Sequence, residues 1–200
     1  MAWFLRSELN GSDAYPMLRE RLDNRVYTDP THPAYRDIVR VETFRWTGYY
    51  SAEDSNHLSE YLPYFRRSPG AVVRYRLLNH TQRLDGMYRR VLEERRAMEA
   101  ILKGEPMDVK RSGEFGPQVV HAIESGEKAE IYCNVSNDGL ISNLPQGCTV
   151  EVPALVDGRG IHPRRVGAIP PQCASLNRSN VAVQELVTRA IEEKSRERVF

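Results

Sequence analysis

The fold rests on a strand and a turn in the segment Glu130-Ile-Tyr-Cys-Asn-Val-Ser-Asn-Asp-Gly139. Its first six residues predict a β-strand, and Asn137-Asp-Gly139 predicts the turn that ends it. A second run, Thr149-Val-Glu-Val-Pro-Ala-Leu-Val156, alternates polar with apolar, β-branched residues and predicts another strand. Asp157-Gly-Arg-Gly160 predicts a further turn. Together these segments indicate one small sheet.

Helical patterns precede and follow this sheet. The clearest spans residues 81–103, where apolar residues recur every three or four positions until Gly104. Asp13 is the predicted N-cap of an early helix, and Ser51 with Asp54 forms a predicted capping box for another. Residues 2–9 predict a further strand. The sequence therefore predicts an α+β fold, mostly helical with a small mixed or antiparallel sheet, whose other helices span residues 13–22, 33–44, 51–62, 114–124 and 171–194.

Composition is that of an ordinary globular domain. The chain has 200 residues, enough for one domain, with 28 basic and 27 acidic side chains and a net charge of +1. A charge this small argues against electrostatic capture of nucleic acid or an anionic membrane. No apolar run approaches the ~18 residues of a membrane span. Three cysteines without a CxxC pair predict structural thiols rather than a disulfide framework. This use of cysteine also predicts a cytoplasmic location. The first residues do not have the pattern of a signal peptide.

One segment concentrates titratable side chains. His57 lies three residues after Asp54 and three before Glu60, so a helix would place all three near one face. This combination suits general acid–base chemistry or the binding of a polyol. The alternative is a capped amphipathic helix whose polar side chains are satisfied locally. Four tyrosines flank the segment: Tyr49, Tyr50, Tyr61 and Tyr64.

Two further segments carry polar side chains with two interpretations each. Arg111 precedes a helix and either holds an anion or carboxylate, or belongs to an ordinary helix start. The amides between Asn134 and Asn143 either bond sugar hydroxyls or shape a hairpin. The chain has no GxGxxG loop and no P-loop, so it contains no recognisable nucleotide site of its own.

Four motifs follow one another along the chain: Met1-Ala-Trp-Phe4, His57-Leu-Ser-Glu-Tyr-Leu-Pro-Tyr-Phe65, Asn134–Pro145 with Val150–Gly158, and Ile169-Pro-Pro-Gln-Cys-Ala-Ser-Leu-Asn177. Together they resemble glycoside hydrolase family 4, the NAD- and manganese-dependent glycosidases. The similarity is to the α-galactosidase, α-glucosidase and α-glucuronidase or galacturonidase branch rather than to the phospho-glycosidases.

This resemblance implies redox-assisted hydrolysis of an α-glycoside. In the family, NAD oxidises the sugar at C3, a divalent metal polarises the ketone, a base removes the C2 proton, and the aglycone leaves by elimination. A ketone beside a Lewis acid lowers the cost of a carbanion-like transition state. The family is an exception to the two-carboxylate scheme of most glycosidases.

The resemblance also assigns roles to residues. The base of the family comes from the region that matches Tyr49–Tyr64, with Asp54 and Tyr50 as the candidates. Asn134 and Asn137 match an Asn-Val-x-Asn motif in which Ser136 is a mild departure. The residues implied to bind substrate or brace the pocket are His57, Glu60, Arg111, Asn134 and Asn137.

The family's NAD site and its Cys and His metal ligands lie in an N-terminal half that this chain lacks. Residues 1–200 are therefore expected to form a single C-terminal domain for substrate binding and oligomerisation, with neither cofactor nor metal bound by this chain alone. The expected partners are a carbohydrate, the missing N-terminal half and further copies of the chain. The fragment is expected to be inactive alone; the alternative is a non-catalytic assembly or binding module that retains the fold.

Overall fold

The structure is a computed structural model, and it describes residues 1–107 and 113–199. The α+β prediction, mostly helical, is confirmed. The helices are α1 (Tyr15–Arg21), α2 (Ile38–Thr47), α3 (Ser55–Tyr61), α4 (Pro69–Arg74), α5 (His80–Leu102), α6 (Gly116–Ser125) and α7 (Pro171–Glu192), with 3-10 turns at Asn24–Tyr27 and Arg196–Val199. The strands are β1 (Trp3–Phe4), β2 (Glu8–Leu9), β3 (Ser12–Asp13), β4 (Tyr50–Ser51), β5 (Ala129–Ser136), β6 (Thr149–Asp157) and β7 (Gly160–Pro163).

The described strands form three small antiparallel sheets rather than the single sheet predicted. β5, β6 and β7 pair in sequence order and confirm the two strands read from residues 130–135 and 149–156. The strand predicted over residues 2–9 is wrong in its extent. Only Trp3–Phe4 and Glu8–Leu9 are extended, because the first pairs with β4 and the second turns through Asn10 and Gly11, both at positive φ, into β3.

Two predicted helix caps are wrong. Ala14, not Asp13, is the N-cap of α1, although Asp13 accepts a hydrogen bond from the Tyr15 amide at 3.0 Å. Ser51 lies in β4, and Asp54 alone caps α3. At α1 no side chain caps the helix, since the N-cap is an alanine. At α3 the later of the two polar candidates, Asp54, supplies the capping oxygen.

The helix predicted from Pro33 begins only at Ile38, the first residue of α2. α4 was not predicted; the Ser68 hydroxyl accepts from the Ala71 amide, and Pro69 occupies the first turn. The long helices are confirmed within two residues at each end. No helix of the described ranges is long and apolar enough to cross a membrane.

The larger core lies on one face of the three-stranded sheet. β6 alternates between exposed and buried residues, and its inward side chains are Val150, Val152, Ala154 and Val156. The first turn of α7 covers one part of this face with Cys173 and Ala174, and α6 covers the other with Ala122. A second core around α2 and α3 contains Val39, Leu58, Leu62, Phe65 and Leu77.

A buried amide shapes the connection from β5 to β6. Asn137 is 1% exposed. Its Nδ2 donates to the carbonyls of Ile141, Leu144 and Pro145 at 2.9–3.2 Å, and its Oδ1 accepts from the Ile141 amide at 2.9 Å. The side chain therefore acts as a bracket inside the loop.

Replacing Asn137 by Ala should lower the free energy of unfolding by about 2–4 kcal/mol, because it leaves buried backbone groups without partners. Asn134, exposed on the same strand, is the matched control. Asn134→Ala should stay within about 0.5 kcal/mol of the wild type. Urea denaturation followed by circular dichroism measures both, and equal losses in the two variants would contradict the bracket.

Candidate functional site

The predicted acid–base segment forms the first turns of α3. Asp54 Oδ1 accepts from the backbone amides of Asn56 and His57 at 2.7 and 3.2 Å. Its Oδ2 lies 3.1 Å from His57 Nδ1. The His57 and Asp54 side chains are 48% and 55% exposed, so a ligand in solvent can reach them. This contact places the proton of a neutral imidazole on Nδ1 and leaves Nε2 as an acceptor.

Glu60, one turn further along α3, is held by arginines. It forms an ion pair with Arg83 at the start of α5, and Arg66 Nη2 lies 3.7 Å from the same oxygen. The Asn180 amide of α7 donates to the Tyr61 carbonyl at 3.1 Å. Glu60 thus links α3 to α5, and its carboxylate is engaged by protein groups.

Tyr50, in β4, belongs to a hydrogen-bond network centred on Asp37. Its hydroxyl lies 3.3 Å from Asp37 Oδ2, and the Arg40 guanidinium lies over its ring at 4.3 Å. Burial, together with the Asp37 carboxylate, raises the pKa of Tyr50 to about 12. The phenol therefore keeps its proton at neutral pH and acts as a hydrogen-bond donor.

Asp37 also connects Tyr50 to α3. Its Oδ1 accepts from the Ser55 hydroxyl at 3.2 Å, and its Oδ2 lies 3.0 Å from Arg40 Nη1. Arg40 in turn donates twice to the Ser51 carbonyl, at 2.8 and 3.1 Å. These bonds fix the segment between Tyr50 and Ser55, and with it the position of Asp54.

A cleft of about 650 Å³ lies between the first residues of the chain, β6 and α7. Its wall includes Ala52 and Glu53, the two residues that precede Asp54, whereas Asp54 and His57 are not among its lining residues. Its aromatic and polar lining residues are Trp3, Phe4, Arg6, Glu53, Tyr132, Asn134, Thr149, Glu151, Asn177, Asn180 and Gln184.

One asparagine of α7, Asn177, joins that helix to the first residues of the chain across the cleft. The Trp3 indole donates to Asn177 Oδ1 at 2.9 Å, and Asn177 Nδ2 donates to the Met1 carbonyl at 3.1 Å. Asn134 and Gln184 make no side-chain hydrogen bond within the described ranges. Amides and carboxylates beside aromatic rings are suited to a polyol, because they offer donors, acceptors and an apolar face together.

The predicted site residues therefore fall into different places. Asp54, His57 and Glu60 share α3, as predicted, and Asn134 lines the neighbouring cleft. Asn137 is enclosed in its loop, which favours the hairpin interpretation over sugar binding for that residue. Arg111 lies outside the described residues. The three cysteines lie in or against the apolar clusters, and burial raises the pKa of each thiol, that of Cys173 to about 12.

Several residues of the site were missed in the sequence. Asn177, Asn180 and Gln184 recur at three- and four-residue spacing on α7, so an amide stripe on that helix was a readable pattern. Asp37 and Arg40 had no such pattern, since their partners Tyr50 and Ser51 lie more than ten residues away.

The described residues do not assemble a metal centre. In the ranges 1–107 and 113–199, no three His, Cys, Asp or Glu side chains converge as they would around an ion.

A known protein family matches the chain over its whole length. A family model described as the family 4 glycosyl hydrolase C-terminal domain matches residues 1–200. The chain belongs to the family 4 glycosyl hydrolases. The resemblance read from the four motifs is therefore confirmed.

Several relatives match most or all of this family 4 chain and are themselves longer. The chain is 32% identical over 206 residues to an alpha-galactosidase of Bacillus subtilis, covering 100% of the chain and 45% of the relative. It is 30% identical to an alpha-galactosidase of Rhizobium meliloti, with 94% and 39% covered. A maltose-6'-phosphate glucosidase of Clostridium acetobutylicum is 25% identical, with 99% and 46% covered. The chain thus spans less than half the length of these curated relatives.

Solved structures share the fold. The lplD protein of Bacillus subtilis superposes with a TM-score of 0.80 at 23% identity, over 99% of this chain and 47% of the other. A 6-phospho-alpha-glucosidase from gut microorganisms, solved with NAD and glucose-6-phosphate, has a TM-score of 0.62 at 26% identity, over 98% and 46%.

The titration of Tyr50 is open to measurement. Its folded pKa lies above the ~10 of an unfolded tyrosine, so its neutral phenol stabilises the fold fully below about pH 10, and this stabilisation is lost as the pH rises to about 12. Tyr50→Phe should lose less stability than the wild type across that interval. Urea unfolding at several pH values measures this. Tyr132→Phe, at an exposed site, is the control and should follow the wild type; a decline in Tyr50→Phe equal to that of the wild type would refute the assignment.

Proposed function

We propose that the chain is the C-terminal, substrate-binding part of an α-glycosidase, with α-galactosides as its first substrate class. The observation that carries the proposal is the cleft, whose amide, carboxylate and aromatic lining suits a sugar, in a domain that matches family 4 over its whole length. The two relatives at 30% identity or above are both named alpha-galactosidases. The 6-phospho enzymes lie at 25–26%. Discrimination against phosphorylated sugars remains a prediction, as does a cytoplasmic location.

Asp54 and His57 are the proposed proton-accepting pair. Both Asp54 oxygens are already engaged, one by two backbone amides and the other by the imidazole. The acceptor that points away from this pair is His57 Nε2, so Asp54 orients the ring and His57 takes the proton. Tyr50 is the weaker candidate for a base, because its phenol stays protonated at neutral pH.

The remaining residues have supporting roles in this proposal. Asn134 and Gln184 offer amide groups to sugar hydroxyls inside the cleft, and the rings of Trp3 and Tyr132 offer apolar faces. Glu60, paired with Arg83, steadies the helix that carries His57 rather than touching substrate. Arg111 stays a proposed substrate contact.

NAD and Mn²⁺ are proposed as cofactors of the whole enzyme and not of these residues alone. Together they would supply hydride transfer and Lewis-acid polarisation at the sugar. Support for NAD comes from a 6-phospho-alpha-glucosidase solved with NAD and glucose-6-phosphate at 26% identity. Mn²⁺ is proposed from the resemblance to the family. The described residues of this chain offer no metal cluster, so the ligands are proposed to come from an N-terminal part that corresponds to the unmatched half of the relatives.

A chimera tests the function. The segment of the Bacillus subtilis alpha-galactosidase that matches this chain is replaced by residues 1–200, and hydrolysis of p-nitrophenyl α-D-galactopyranoside is followed with NAD and Mn²⁺ present. The chimera should be active, while this chain and the remaining N-terminal part should each be inactive alone. A chimera that melts cooperatively but hydrolyses no α-glycoside would favour the non-catalytic module instead. Hydrolysis by the chain alone would contradict its dependence on a second part.

The proton-accepting pair is tested in the same chimera. His57→Gln and Asp54→Asn should each lower kcat by about 10²–10⁴-fold, because proton transfer by a positioned side chain contributes that much. Tyr50→Phe is the matched comparison and should retain kcat within about tenfold, since its phenol donates rather than accepts. A large loss in Tyr50→Phe with activity retained in both pair variants would reverse the assignment.

A further inference from the structure

Two aromatic rings, those of Trp46 and Tyr64, form a corner on the surface beside the second core. The indole of Trp46, an exposed residue of α2, stacks on the ring of Phe65 with 5.4 Å between the centroids and 8° between the planes. The Tyr64 ring stands at 89° to the indole, 5.8 Å away. Trp46 and Tyr64 are 53% and 41% exposed, whereas Phe65 is fully buried. The indole face that turns away from Phe65 and the Tyr64 ring are therefore two walls open to solvent.

The packing behind this aromatic corner holds its rings in place. Phe65 also makes edge contacts with the rings of Tyr75 and Tyr64, at 5.0 and 6.3 Å between centroids. It belongs to the second core, with Leu58 and Leu62. A surface whose rings are already fixed loses little conformational entropy when a ligand binds.

The polar groups of the aromatic corner are left for a ligand. Within residues 1–107 and 113–199, neither the indole N–H of Trp46 nor the hydroxyl of Tyr64 makes a hydrogen bond. The guanidinium carbon of Arg67 lies 5.9 Å from the centroid of the Tyr64 ring. Arg67 Nε donates to the Pro63 carbonyl at 3.2 Å, which anchors the guanidinium, and its two terminal amino groups have no partner in those ranges.

Covering Phe65 does not by itself account for this arrangement. Any flat apolar side chain would cover that ring, and single exposed aromatic residues are ordinary. Here two perpendicular rings, an indole N–H, a phenol and a guanidinium meet at one place on the surface. Such a concentration marks an interaction surface.

The chemistry of the aromatic corner fits a saccharide that carries a carboxylate. One face of a pyranose ring presents C–H groups, which are attracted to the negative face of an indole, and its hydroxyls bond to N–H and O–H groups. A carboxylate accepts two charge-assisted hydrogen bonds from a guanidinium. Arg67 would repel a cationic ligand. The net charge of +1 argues against a nucleic acid.

The aromatic corner is separate from the cleft, because none of Trp46, Tyr64 and Arg67 is among the residues that line the cleft. We propose that these three residues form a second carbohydrate-binding site, which takes a uronate unit of an acidic saccharide. The indole carries the sugar ring and the guanidinium binds the carboxylate. This proposal goes beyond the proposed function, since binding at the aromatic corner needs neither hydrolysis nor an N-terminal part.

Fluorine NMR of the 200-residue chain labelled with 5-fluorotryptophan tests the site. The chain has two tryptophans, and Trp3 reports on the cleft while Trp46 reports on the aromatic corner. Trp46→Phe assigns the two signals, because it removes one of them. Methyl α-D-galactopyranosiduronate should shift the Trp46 signal saturably, and it should bind about tenfold more tightly than methyl α-D-galactopyranoside, since a hydrogen bond to a charged group contributes at least that much. An unmoved Trp46 signal, or equal affinity for the two sugars, would overturn the proposal.

Three variants locate the contacts. Arg67→Gln should weaken binding of the uronate glycoside about tenfold and binding of the neutral glycoside much less, because it removes the partner of the carboxylate. Arg89→Gln removes the same charge from the exposed surface of α5 and should bind like the wild type. Tyr64→Ala should weaken both sugars, because it removes one wall. Circular dichroism should show all three variants folded, since the three side chains are exposed. Equal weakening by Arg67→Gln and Arg89→Gln would reduce the effect to net charge and contradict the site.

Discussion

The amide of Asn137 is the contact on which the rest of the site depends. By bonding backbone groups of residues 141–145, it fixes the loop that follows β5. Within that loop, Asn143 bonds both the amide and the carbonyl of Ile169, and its own carbonyl accepts from Arg178. These bonds set the start of α7 against the sheet, and α7 then supplies one wall of the cleft. Without these bonds, buried polar groups of the loop would lack hydrogen-bond partners, which would raise the free energy of the folded chain.

The sequence was most informative where a pattern repeats along one element. The long helices α5 and α7 and the strands β5 and β6 were predicted closely, because apolar residues recur regularly along each of them. In the strands this regularity reflects burial, whereas in α7 only Cys173 and Ala174 are buried. Helix caps were less predictable. Asp13 and Ser51 are good cap residues in isolation, yet the capping position went to Ala14 and Asp54. Ser51 is taken up by the pairing of β4 with β1, and Asp13 by the pairing of β3 with β2, and neither pairing can be foreseen from the capping residues alone.

The candidate site likewise contains features that the sequence predicted and features that it did not. The Asp54–His57 contact follows from spacing within one helix, so the sequence predicted it. The Asn-Val-x-Asn motif was recognisable as a motif, but its two asparagines have opposite surroundings: Asn134 faces the cleft and Asn137 faces the loop interior. Because Asn137 lies just past the end of β5, its three-residue separation from Asn134 does not show which way each side chain faces. The Asp37–Arg40 network around Tyr50 depends wholly on how β4 and α3 meet α2.

The hydrogen bond between Trp3 and Asn177 has a consequence for the entropy of the cleft. Its two residues are separated by 174 positions, so the chain must close nearly its whole length for the bond to form. Contacts of such separation carry the largest loop-closure entropy. The pairings of the three-stranded sheet are far more local. The cleft therefore carries a larger entropic cost than the sheet behind it, because its two walls come from opposite ends of the described chain.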